Sequence, residues 1–363
     1  MSTVSNSNFI DFHVLVSHPA SSINRDQHGS QKTMVFGGEE RARVSSQSLK
    51  QAIRTSAYFK QKLGTKSDRT RELGKLVNNY TESLKKHDFS VVRKTIEILS
   101  GKESIEVDGK GTIMPWTLTE VDRACTIVAQ GIKESLDDKQ LIKRLEKETK
   151  ELKDALKGGV DIALYGRMVA SGVLPSIDGA LSVAHSFTTH IFKPEIDWFS
   201  AIDEFTGNES GKLQSGHIDE ANFGSGVFYR YASLNIGQLA KNLGVERKEA
   251  LELASHIVTL LATITPSGKQ KSFAAYNLAD YVLVQFTNFP MSLANAFENP
   301  VKRERGGGYL QNSINALEGY VTKVVAAYEG IVETSQAVFS LEPSTLENKK
   351  NTIKDLQKWI AKG

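Results

Sequence analysis

"GVFYRYASLNI" (residues 226–236), followed by "VERKEALELASHIVTLLATI" (245–264) and "ADYVLVQFT" (279–287), decides the fold. The first and third stretches carry branched and aromatic side chains at a period of two, which predicts strands. The second repeats its apolar residues every three to four positions, which predicts an amphipathic helix. Upstream, "FIDFHVLVSH" (9–18) predicts a further strand with Ile10, Phe12, Val14 and Val16 on one side. "RARVSSQSLKQAIR" (41–54) predicts a helix that begins near Ser46 and ends around Gly64. Strand and helix, then strand, helix and strand, form the skeleton of a split β-α-β, ferredoxin-like α+β domain. RNA-recognition modules and metabolic enzymes both use it, so the skeleton by itself assigns no activity.

The rest of the chain decorates this skeleton. "KTMVFGG" (32–38) reads as a hairpin arm closed by Gly37 and Gly38. Residues 65–160 are helical and charged, with Leu141, Leu145, Leu152 and Leu156 spaced along one helix face, and form a helical insertion. "KGGVDIALYGRMVASGVLPSIDG" (157–179) is glycine-rich and reads as a structured loop. Residues 193–223 are a long polar excursion, and two helices are expected near 310–333 and 345–362.

The composition narrows the function classes. Among 363 residues, 45 Lys and Arg face 42 Asp and Glu, a formal charge of +3. A nucleic-acid site must therefore arise from clustering, not from overall charge. The single cysteine, Cys125, excludes an internal disulfide and a cysteine-based zinc site, and reads as a buried helix residue. No apolar run approaches the roughly 18 residues of a membrane span, and "MSTVSNSN" lacks a signal pattern, so cytoplasmic residence is expected. There is no phosphate-binding glycine loop, no G-x-S-x-G and no G-x-G-x-x-G. His185 and His190, five apart, are poorly spaced for metal ligation. No catalytic residue, cofactor or metal is expected.

The clustering is found at the start of the first helix. Arg41, Arg43, Ser45, Gln47, Lys50 and Arg54 lie within fourteen residues, and a helix start needs only one hydroxyl, here assigned to Ser46. Leu49, Ala52, Ile53 and Ser56 form the inward stripe, which leaves Lys50 and Arg54 one turn apart on an outer face. Such a group favours an anion. Arg25 and Lys32 in the preceding loop extend the patch, and "SGKQKSF" (267–273) adds Gly268, Lys269 and Lys271. Trp198 and Phe199 sit among polar residues where no apolar period buries them, as expected of a contact for bases or a partner. Phe228 and the Tyr229, Tyr231 pair fall on opposite faces of their strand, so one set must be core, and base stacking there matches the RNA-recognition signature poorly.

In combination, "NRD", "FGGEERARVSSQSLKQAIR", "VDIALYGRM", "SGVFYRYASLNI" and "AAYNLADYV" resemble the type I-E CRISPR Cascade backbone subunit, the CasC family, in the same order over nearly the whole chain. The resemblance implies a hand-like fold. A modified RNA-recognition palm would comprise residues 1–64, 183–192 and 224–363, with a helical fingers insertion at 65–182 and a hairpin thumb at 193–223. It implies a non-catalytic subunit that forms a hexameric filament on a CRISPR guide RNA (crRNA). The subunit would hold the guide's phosphates and present its bases to the target DNA strand in antiviral defence. The other partners implied are the large, small, guide-5′-end and guide-3′-end subunits of the complex, with no membrane. Carried over residue by residue, Ser45, Gln47, Lys50 and Arg54 contact guide phosphates, with Arg25 and Lys32 beside them. Met168, after Arg167, wedges near kinked nucleotides, and Trp198 and Phe199 belong to the thumb. Glu39 and Glu40 depart from the pattern, standing where family members carry basic residues. The alternative on a related fold is an RNA-processing endonuclease using His13, His18 or His185; an enzyme of phosphorylated metabolites is a third reading.

Overall fold

The computed structural model describes residues 7–64, 66–70, 84–100, 113–148, 159–168, 176–202 and 215–363. The chain divides into two compact units. One is built from residues up to Ile53, Val183–Ser233 and Ile257–Gly363; the other from Arg54–Ser182 and Leu234–His256. The second unit thus takes in residues 54–64 and 234–256, which the sequence reading places with the palm.

The elements in chain order begin with β1 (Phe9–Ser21), β2 (Thr33–Phe36), β3 (Glu39–Val44), α1 (Ser46–Thr55) and α2 (Ala57–Leu63). They continue through β4 (Asp68–Thr70), α3 (Phe89–Ser100), β5 (Met114–Trp116), α4 (Leu118–Lys133), α5 (Asp138–Lys147) and α6 (Val160–Tyr165). Next come β6 (Leu181–Val183), β7 (Ser186–Thr188), β8 (Glu195–Ile202), β9 (Ser215–Asn235), α7 (Ile236–Leu243), α8 (Arg247–Thr263) and α9 (Gln270–Phe273). The chain closes with β10 (Tyr281–Thr287), α10 (Leu310–Ala327), β11 (Thr334–Ser340) and α11 (Ile353–Lys362).

The first unit's sheet runs β11-β10-β1-β9-β7-β3-β2. Its middle, β10-β1-β9-β7, has the strand order of a split β-α-β domain, with α1 following β1 and α8 joining β9 to β10. The α+β expectation is therefore met. β1 is covered on both faces: Ile10, Phe12 and Val14 are buried on one side, and Asp11, His13 and Leu15 on the other. β9 is likewise central, with Phe228 and Tyr229 on opposite faces and both buried. The Tyr229 hydroxyl bonds His13 Nδ1 at 2.8 Å and accepts from the Leu293 amide, so these aromatics are core and no stacking platform.

Two local differences from the sequence reading have simple causes. The helix expected to run to Gly64 breaks after Thr55, where the Ser56 hydroxyl accepts from the Phe59 amide and caps α2; Gly64, at φ +97°, then ends it as expected. β11 replaces an unassigned stretch between two helices because its inward contact is polar: the Gln285 amide donates to Gln336 Oε1 at 3.0 Å, which erases the apolar alternation.

The expected hairpin arm is present. β2 and β3 pair antiparallel around Gly37 and Gly38, at φ +62° and +78°, the two left-handed positions of a tight hairpin turn. In 193–223, β8 pairs antiparallel with the first half of β9, Trp198 opposite Glu220.

In the second unit α3, α4 and α5 bury a cluster that includes Ile96, Val121, Ala124, Val128, Leu141 and Leu145. Cys125 lies in it, fully buried as expected. Leu152 and Leu156 lie outside the described residues. The glycine-rich stretch after them contains a short helix, α6, capped by Gly166 at φ +79°.

Candidate nucleic-acid interface

α1 begins one residue earlier than the hydroxyl count suggests. Ser45, not Ser46, is the cap: its hydroxyl accepts from the Ser48 amide at 3.3 Å, and its carbonyl from the Leu49 amide. Asn24 fixes this start, its Oδ1 accepting from the Ser45 amide at 2.8 Å. Next to it, Asp26 Oδ1 accepts from the His28 and Ser30 amides and folds the loop into an Asx turn. The "NRD" triplet is thus structural at its two ends and leaves Arg25, between them, exposed.

A third segment joins these two. The loop after α8 packs Gly268 on the 22–23 backbone so closely that a Cβ there would lie 2.2 Å from the Ile23 carbonyl oxygen. The result is an open polar cleft of about 460 Å³ lined by Asn24, Arg25, Gln27, Ser48, Ser267 and Gly268, among others. Gln47 and Lys271 are exposed, and Lys50 and Lys269 half-buried. Arg25 is marked in the sequence by its charge and Gly268 by the lysines beside it, whereas Asn24, Ser48 and Ser267 carry no charge that would single them out.

On the other side of the α1 start, His185 Nδ1 accepts from the Ser46 amide at 2.9 Å, which leaves Nε2 as the protonated nitrogen of the neutral ring. Its pKa is lowered, first by partial burial and then by Arg43 and Lys32, so these two cations share its surroundings. Arg43 also donates to the Thr33 carbonyl, and the Lys32 amide to the Asn24 carbonyl. The half-buried α1 start, where only Gln47 is exposed, therefore lies between Arg25 on one flank and Lys32 and Arg43 on the other.

Three arginines named from the sequence are not available to a phosphate. Arg41 is fully buried and donates to the carbonyls of Thr188, Phe297 and Glu298. Arg54 is buried against Asp161 at 3.1 Å and donates to the Ser67 carbonyl. Arg167 pairs with buried Glu120 at 2.9 Å. Each guanidinium is committed inside the chain because a buried cation needs acceptors from every side. Spacing alone cannot distinguish such a residue from a surface donor.

Arg167 still has a consequence for its neighbour. Its backbone bridges Ile177, and Met168 beyond it is 86% exposed. On β8, Ile196 and Trp198 are exposed on the same face, two residues apart. Nothing is described of the Phe199 side chain.

Two of the three histidines of the endonuclease reading are enclosed, and His185 is exposed. His13 is fully buried, and burial lowers its pKa to about 3. His18 is also buried, its pKa lowered to about 3 by burial and by Arg230. Among the described residues no cluster of His, Cys, Asp and Glu is placed to hold a metal, and no helix is long and apolar enough to cross a membrane.

Residues 10–361 match a protein family described as CT1975-like protein. No curated protein matches the chain. Two solved structures resemble it over almost its whole length. A chain of a "CRISPR RNA-guided surveillance complex, pre-nicking" is 27% identical with a TM-score of 0.79, covering 98% of this chain and 99% of that one. A chain of a "CRISPR RNA-guided surveillance complex" is 25% identical with a TM-score of 0.62, covering 98% of each.

Proposed function

Because the chain belongs to the CT1975-like protein family, we propose that it is a non-catalytic backbone subunit of a type I-E CRISPR surveillance complex that holds the guide RNA by its phosphates. The observation that carries this reading is the convergence of three segments, residues 23–29, Ser48 in the first turn of α1 and Ser267–Gly268, on one polar cleft in the unit that carries the split β-α-β sheet. Its donors are Arg25, Ser48, the Ser267–Gly268 segment and the flanking Lys32, Arg43, Gln47 and Lys50. They suit an RNA backbone, which offers one anion per nucleotide and the same anion for every sequence. Bases held away from such a surface remain free to pair with a target DNA strand. Ile196 and Trp198, with Phe199, would then act at the thumb as apolar separators between stretches of paired bases, and Met168 as a wedge at kinked nucleotides. Further copies of the chain and the remaining subunits would complete a cytoplasmic ribonucleoprotein.

The endonuclease alternative gains no support from His13 and His18, which lie beneath the surface; exposed His185, its Nδ1 engaged by the Ser46 amide, is the one of the three still open to it. The test is equilibrium binding of two single-stranded RNAs of unrelated sequence across a salt series. Equal affinities with a log–log slope steeper by about 0.7 for each phosphate neutralised are expected. Tight binding to one sequence alone, or cleavage of either RNA, would overturn the reading.

A further inference from the structure

The loop carrying Ser267, Gly268, Lys269 and Lys271 is held near both ends by the side chains of Arg230 and His18. Arg230, on β9, is buried, and its guanidinium meets backbone carbonyls and an imidazole in place of a carboxylate. One guanidinium nitrogen donates to the carbonyls of Leu261 and Ile264, both at 2.9 Å, where α8 ends and the loop begins. The exposed carbonyls of a helix C-terminus are a favourable place for a cation.

The other nitrogen lies 3.3 Å from His18 Nε2, and His18 Nδ1 lies 3.3 Å from Asn277 Oδ1, at the far end of the same loop. A guanidinium only donates and an amide oxygen only accepts. His18 must therefore accept at Nε2 and donate at Nδ1, so the three side chains form a directed relay, Arg230 to His18 to Asn277. Between its ends, Gln270 is buried and its amide donates to the Pro266 and Ala275 carbonyls, which ties the loop to itself.

We infer that Arg230 and His18 are positioning residues: their relay grips both ends of residues 264–277 and so sets Gly268 on the Ile23 backbone, where the loop forms one wall of the polar cleft. The inference rests on the guide-RNA reading above, and it assigns the loop's accuracy to two residues that would never touch RNA.

The test uses the full-length protein and a fluorescein-labelled single-stranded RNA. His18→Leu removes both the acceptor and the donor; His18→Gln restores both, through Oε1 and Nε2. His18→Leu is expected to speed tryptic cleavage after Lys271 and to weaken RNA binding about tenfold, with His18→Gln close to the parent in both. Lys271→Ala, which weakens the parent, is expected to add nothing in the His18→Leu background, because the two act through one loop. Asn277→Ala, at a half-buried site, repeats the cleavage and binding measurements should His18→Leu not fold. A loosened loop with unchanged RNA affinity overturns the positioning role alone. A parent protein without RNA affinity overturns the guide reading itself.

Discussion

Arg41 and Lys50, nine residues apart, show how differently one residue class is used in this chain. The Arg41 side chain replaces water with three carbonyl oxygens and stacks over Phe36 at 5.9 Å. Arg41→Met leaves those acceptors unsatisfied and is expected to destabilise the protein by roughly 3 kcal/mol in urea titration; reduced RNA affinity at parental stability would contradict its internal role. Lys50 lies on the half-exposed part of α1. Lys50→Glu is expected to lower the RNA retained on purification while leaving the thermal midpoint within a degree or two, about the range of an ordinary surface substitution. An unchanged RNA yield would remove Lys50 from the contact surface. The sequence made the cluster legible because charge density needs no geometry to detect. It left the division of labour illegible, since Arg54 and Asp161 are 107 positions apart and only folding brings them together.

The elements best read from the sequence are those whose burial is periodic. β1, α8 and β10 lie close to their expected bounds because each has at least one uniformly apolar face. β7 was missed for the opposite reason, being only three residues long, and β11 because Gln336 faces Gln285. Turns were legible where glycine was required: Gly37 has φ +62°, and a Cβ there would fall 1.8 Å from the Glu298 carbonyl oxygen. Gly37→Ala must shift the β2–β3 hairpin off that backbone and take on left-handed strain. It is expected to lower the thermal midpoint measurably, by more than the roughly 1 kcal/mol of an ordinary glycine-to-alanine change in a turn. A midpoint equal to the parent's would show that the hairpin tolerates displacement. The break between α1 and α2 belongs to the same scale, since one serine hydroxyl decides it and the apolar period runs on without a sign.

At the scale of the whole molecule, buried titratable groups set how stability follows pH. His13 and His18, with pKa values lowered to about 3, resist protonation in the folded state but accept it below about 6.5 when unfolded. Their contribution is therefore present above that pH and lost on acidification. Asp11 runs the other way. Burial pushes its pKa up to about 6, against hydrogen bonds from Tyr231 and the Met291 amide, so the folded state holds a proton that the unfolded state has released above about 4. Its effect is stabilising on acidification through that window, and it opposes the two histidines. Asp11→Asn is expected to lose stability more steeply between pH 7 and pH 4 than the parent, read from denaturation midpoints; an identical pH profile would mean that Asp11 titrates normally.

The strand order of the first unit, the family to which the chain belongs and the polar cleft together support one central claim, that this subunit holds a guide RNA by its backbone. The most direct measurement is to co-express the chain with a CRISPR guide and its neighbouring subunits, purify the product by a tag on this chain, and determine the length of the RNA and the copies of the chain per RNA. A ribonucleoprotein with RNA of one discrete length and several copies of this chain on each molecule is expected. A nucleic-acid-free monomer would contradict it and would assign the cleft to a smaller anion.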